Sequence, residues 1–126
     1  MADAYQDLIV WQKATRLALE IYRSTQGFPR HELYGLTSQM RRAAVSVASN
    51  IAEGKGRFSR KEFAQFLYRA RGSLLELETQ MFIAGELGYL DQASGKRMLN
   101  EAGELGRILN GLTRSLHDSV NTVPES

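Results

Sequence analysis

The stretch Ser59–Ala84, SRKEFAQFLYRARGSLLELETQMFIA, carries apolar residues at Phe63, Leu67, Ala70, Leu74, Leu77, Met81 and Ala84. Steps of four and three alternate along it, the period at which packed helices interlock knobs into holes. Ser59 with Glu62 three residues later forms a capping box. The hydroxyl accepts one orphan N–H and the carboxylate reaches back for another. The spacing predicts a helix over 60–87.

The same period recurs on either side. Downstream, Asp91 is an N-cap candidate for a helix over 92–119, with Met98, Ala102, Leu105, Leu109, Leu112 and Leu116 on one face. Residues 121–126 are expected to fray. Upstream, Leu36, Met40, Ala43, Ala44, Val47 and Ile51 project within a narrow arc, predicting a helix over 36–53 that Gly54 ends. Beside that arc, Val45, Ala48 and Ala52 are small enough to admit a close neighbour. The first helix spans 8–25, with Leu8, Trp11, Thr15, Ala18 and Tyr22 at helical spacing. Gly27 and Pro29 stop it. Residues 28–35 are a connection with room for one helical turn. No segment alternates like a strand. The expectation is a single all-α domain over 1–126, an antiparallel up-down four-helix bundle.

Composition agrees and removes other classes. The chain has 126 residues, 43% apolar and 24% charged, with two Pro, two His and no Cys. Disulfide scaffolds, thiolate catalysis and cysteine-ligated zinc or iron–sulfur clusters are excluded. No apolar run reaches the ~20 residues a bilayer span needs, and residues 1–12 carry acids where a signal peptide would carry bases. A cytoplasmic location is expected.

Helix 60–87 carries more apolar surface than one bundle face requires. Ala64, Tyr68, Arg71, Leu75, Glu78 and Phe82 form a second stripe, leaving Glu62, Gln65, Arg69, Ser73, Glu76 and Gln80 as the polar face. Contiguous exposed apolar surface marks protein interfaces. Tyr68, Arg71, Leu75, Glu78 and Phe82 are therefore candidate oligomer contacts, with Arg71 and Glu78 pairing across subunits. The alternative is a wide core face on a central helix.

Charge is uneven. Residues 30–71 hold nine bases against three acids, net +6, whereas residues 72–126 carry net −4. Either the middle meets an anionic partner, or it pairs internally with the acidic last third.

Catalytic constellations are missing. His31 and His117 lie in different segments, and no His-plus-carboxylate helix motif exists for a metal. Ser73 falls inside a helix, where its hydroxyl bonds its own backbone or water. The loop EGKGRFS lacks both the spacing and the preceding strand of a phosphate loop. Neither enzyme activity, cofactor nor metal is expected. What remains is a cluster of cations. Lys55, Arg57, Arg60 and Lys61 surround a glycine loop at a helix N-terminus, with Phe58 among them and Arg42 on the preceding helix. Mobile cations, backbone N–H groups and an aromatic suit phosphate and unpaired bases. The competing reading is a solvated polar loop.

The stretch FPRHELYGLTSQMRRAAVSVASNIAEGKGR (Phe28–Arg57), followed by FAQFLYRARGSLLELE (Phe63–Glu78), resembles the bacterial 23S rRNA intervening-sequence proteins, also called the four helix bundle protein family. DLIVWQKA (Asp7–Ala14) and LGYL (Leu87–Leu90) match as well. The resemblance implies an antiparallel bundle assembling as a homopentamer, with no accepted catalytic residues. Some members are encoded within insertions in ribosomal RNA genes. A related branch serves as the accessory protein of diversity-generating retroelements and is thought to bind nucleic acid and a reverse transcriptase. RNA or DNA, or another protein, is thus an implied partner. The motif positions Gln39, Arg41, Arg42, Asn50, Glu53, Gly54, Ser73 and Glu76 are structural first. This chain departs from the retroelement branch in its modest net charge of +2. A ring would multiply the basic stretch, so that weak contacts gain from avidity.

Overall fold

Four helices make up the computed structural model: α1 (Ile9–Thr25), α2 (Ser38–Lys55), α3 (Arg60–Glu86) and α4 (Gln92–Asn121). It describes residues 4–121, with side chains described for residues 4–117. No strand occurs among these residues. Of residues 121–126, expected to fray, Asn121 instead ends α4, and 122–126 lie outside the described residues.

Each helix packs on its chain neighbours, and α4 closes the ring against α1. Cross-helix contacts fix the directions. Ser46 meets Ser73, while Gly54 at the far end of α2 lies against Phe63 and Phe66 near the start of α3. Lys13 meets Glu104 and Glu20 meets Arg97, so α1 and α4 are also antiparallel.

The core follows the periodic positions. Leu67, Ala70, Leu74, Leu77, Met81 and Ala84 of α3 are buried against Val10, Leu17 and Ile21 of α1, Met40, Val47 and Ile51 of α2, and Met98, Leu105 and Leu109 of α4. Each large aliphatic side chain removed from water contributes about 1.5–3 kcal/mol.

The ends show why the helices start and stop where they do. Glu62 N donates to Ser59 Oγ at 3.0 Å, as a capping box requires. The Glu62 carboxylate, however, accepts a hydrogen bond from the Ser59 hydroxyl at 3.3 Å rather than from the backbone N–H. At α4, Ser94 N donates to Asp91 Oδ1 at 2.8 Å and Ser94 Oγ to Oδ2 at 2.9 Å. These two bonds, led by the backbone one, hold the Asp91 carboxyl below the usual carboxylate range. Helix α3 closes in a Schellman turn. Tyr89 N donates to Ala84 O at 2.9 Å and Gly88 N to Gly85 O at 3.0 Å, with Gly88 at φ +80°.

Three local expectations need correction. Gly54 does not end its helix. α2 continues to Lys55, and Gly56 caps it by donating to Ala52 O at 3.2 Å. Ser73 bonds neither its own backbone nor solvent alone, because its hydroxyl meets that of Ser46 at 2.8 Å. Gln80, assigned to the polar face of α3, is buried, and its Oε1 has no hydrogen-bond partner among the described residues. Phe66, Ser73 and Gln80 are spaced by seven, and Phe66 and Ser73 both contact α2, so α3 buries a flank toward α2 as well as its core stripe.

The connection between α1 and α2 holds a 3₁₀ turn (Arg30–Glu32) and a wide turn (Leu33–Thr37) broken at Gly35, where φ is −112° and ψ −114°. Glu32 Oε1 accepts from Leu36 N at 3.2 Å, and a side chain at Gly35 would meet that oxygen at 2.8 Å. Tyr89 from the α3–α4 turn donates to Glu32 Oε2 at 3.0 Å and packs on Phe28, 5.3 Å between centroids. Burial, then the hydrogen bond to Glu32, raises the Tyr89 hydroxyl above its ordinary pKa. His31 Nε2 lies 3.4 Å from the same hydroxyl. The His31–Glu32 pair thus ties two connections together.

Candidate functional site

The basic stretch, continuous in sequence, is divided by the fold. Arg30, Arg41 and Arg42 sit where α1 hands over to α2, and Lys55, Arg57, Arg60, Lys61 and Arg69 gather where α2 hands over to α3. Thirteen residues of helix separate Arg42 from Lys55, roughly 20 Å at 1.5 Å per residue. The fold therefore keeps Arg42 apart from the glycine-loop cations.

At the α2–α3 end the cations lie on aromatic rings. Arg57 Cζ stands 4.6 Å from the Phe66 centroid, and Arg69 Cζ stands 4.6 Å from the same centroid. Lys55 Nζ lies 6.0 Å from the Phe63 centroid. Ring quadrupoles attract such cations by about 0.5–1 kcal/mol at exposed sites without neutralising them. Lys55, Arg57, Lys61 and Arg69 enter no ion pair with a described carboxylate. Phe58, at the tip of the loop, is fully exposed. The end is thus an open cationic surface holding one unpacked aromatic. Arg69, on the polar face of α3 by sequence pattern, joins this cluster in the fold. Its spacing of three from Phe66 is the signal that places it there.

The other side of the bundle is internally balanced. Lys13 Nζ lies 3.0 Å from Glu104 Oε1, and Arg97 bridges Glu20 at 3.7 Å and Glu101 at 3.9 Å. The hydrogen bond from Lys13 holds Glu104 below the usual carboxylate range, whereas burial and the adjacent Glu20 carboxylate hold Glu101 above it. These pairs join α1 to α4 and turns of α4 to each other, so they do not consume the basic middle of the chain.

Along α3, Tyr68, Leu75 and Phe82 are exposed at 57%, 49% and 60%, a row of three large apolar side chains at seven-residue spacing. Arg71 beside them is exposed and Glu78 is half-buried, whereas Ala64 is buried within the chain. Between α1 and α2, Val45, Ala48 and Ala52 line a shallow cleft with Trp11, Thr15 and Ala18.

Among the described residues, no group of three His, Asp or Glu side chains is placed to hold a metal ion. No helix among them is long and apolar enough to cross a membrane.

Residues 6–111 match the family model described as 23S rRNA-intervening sequence protein. The fold is similar to the crystal structure of a protein of unknown function from the S23 ribosomal protein family of Bacteroides thetaiotaomicron VPI-5482. That similarity has a TM-score of 0.75 at 20% identity and covers 83% of this chain and 98% of the other. No curated protein matches the chain.

Proposed function

Since the chain belongs to the 23S rRNA-intervening sequence protein family, we propose that it is a non-enzymatic, homo-oligomeric, cytoplasmic bundle that binds nucleic-acid phosphates at its α2–α3 end. The observation that carries this reading is the cluster of Lys55, Arg57, Lys61 and Arg69, held at aromatic rings or exposed and unmatched by described carboxylates, beside the exposed Phe58. Such a surface suits backbone phosphate and base stacking more than base-edge readout, so affinity is expected without sequence preference. Copies assembled through Tyr68, Arg71, Leu75, Glu78 and Phe82 would present the cluster repeatedly, as a homopentamer does under the family resemblance.

The row of exposed apolar side chains on α3 favours a second reading, a scaffold that docks another protein. Fluorescence anisotropy with short single- and double-stranded RNA and DNA separates the two. Binding that weakens steeply with salt, and that vanishes in Lys55→Glu/Arg57→Glu/Lys61→Glu with the fold intact by circular dichroism, supports the phosphate surface. Absence of binding at low salt leaves the scaffold.

A further inference from the structure

We propose that the cleft where α1 meets α2 is a binding site for a small phosphate monoester with an apolar body, held by Arg41 and Arg30. This site lies at the end of α2 opposite the glycine loop and does not depend on nucleic-acid binding there.

The cleft has a volume of about 340 Å³ and is lined by Thr25, Gln26, Phe28, Pro29, Arg30, Leu33, Thr37 and Arg41. Two arginines and no acidic residue line it. Arg41 is half-buried and held in place from one side. Its Nε donates to Thr25 Oγ1 at 2.8 Å, its Nη2 to Tyr22 O at 3.4 Å, and its Cζ lies 4.9 Å from the Tyr22 ring centroid. Thr25 is fixed in turn, donating to Ile21 O at 2.7 Å. These contacts cap the C-terminal end of α1 and account for one edge of the guanidinium. The remaining edge, Nη1 with the second hydrogen of Nη2, has no partner among the described residues, and neither Arg41 nor Arg30 enters an ion pair with a described carboxylate. Glu32, the nearest acid in sequence, is occupied by Leu36 N and the Tyr89 hydroxyl.

A partly desolvated guanidinium fork with one open edge matches a planar or tetrahedral oxyanion in bidentate fashion. Two cations without an acid match a dianion better than a monoanion, and a phosphate monoester carries about −1.5 to −2 charges at pH 7. Phe28, Pro29 and Leu33 supply the apolar wall against which the ester's body would rest.

NMR titration of the full chain tests this, with phenyl phosphate, inorganic phosphate and benzoate as probes. The expected result is saturable shifts at the Arg41 side chain and at the Gln26, Gly27, Phe28 and Arg30 amides. Phenyl phosphate should bind tighter than inorganic phosphate or benzoate, and Arg41→Lys should weaken it about tenfold by losing the fork. Because Arg41→Lys also removes the α1 cap and can cost folding, Arg30→Gln is the second variant. Arg30 is exposed, and its replacement should weaken phenyl phosphate severalfold without shifting the melting temperature. Shifts confined to Lys55–Lys61, benzoate binding as tightly as phenyl phosphate, no saturable binding, or unchanged affinity in Arg30→Gln would overturn the proposal.

Discussion

Gly54 of α2 and Phe66 of α3 approach so closely that a Cβ at position 54 would stand 2.7 Å from Phe66 Cβ. Phe63 closes the same space, its Cδ1 at 3.0 Å. The atom in the way is anchored to the α3 backbone and cannot swing aside. Gly54→Ala should therefore destabilise the bundle by about 1–3 kcal/mol, despite the gain in helix propensity. Gly111→Ala, on an exposed face of α4 with nothing within 4 Å of the new methyl, should instead stabilise by about 0.5–1 kcal/mol. Urea melts of the two variants should move in opposite directions.

That contact also marks the limit of what periodicity conveys. The 4-3 spacing of α3 and the Ser59 and Asp91 caps are local signals, and the helices are legible from them. Gly54 carries the same letter as a helix stop, and only the neighbouring helix distinguishes a terminator from a point of close approach. Ser73 is polar by type yet meets Ser46 of α2, and Gln80 is polar by type yet buried, which one sequence cannot state. The loop cations were legible as a charge run. Their separation from Arg42 was not, because it depends on the length of α2 between them.

Gly88 adopts φ +80° in the Schellman turn that ends α3. A side chain there costs about 1–2 kcal/mol. Gly88→Ala should lower the melting temperature while leaving helix content unchanged by circular dichroism.

Leu77 is completely buried at the centre of the α3 stripe. Leu77→Ala should cost about 2–5 kcal/mol, the sum of lost transfer energy and residual cavity, measurable as a fall in the denaturant midpoint.

The carboxyls of the α1–α4 seam respond to pH with opposite signs. Glu101 is held above the usual carboxylate range, so the folded state binds its proton more tightly than the unfolded state does. Its contribution to stability is present at acid pH and is lost as pH rises through the elevated value. Glu104, held low by Lys13, contributes stability above the usual range and loses it as pH falls. Thermal melts between pH 4 and 8 should show Glu101→Gln gaining on the parent as pH rises, and Glu104→Gln losing ground over the same interval.

Leu75 stands midway along the exposed row of α3. If copies assemble through that row, the parent sediments as a species heavier than its 14.1 kDa chain, and Leu75→Glu should return it to the monomer mass. A parent already at the monomer mass at micromolar concentration would remove the row as a self-interface.

Arg41 and Lys55 belong to one run of positive charge in the sequence, yet fourteen residues of α2 hold them roughly 21 Å apart along its axis. At physiological ionic strength the field of a surface charge decays over about 8 Å. The direct field of an anion at one extremity is then strongly screened at the other. On the two proposals, each end would be open to tuning by its own substitutions, so that a single charge run would supply two addresses.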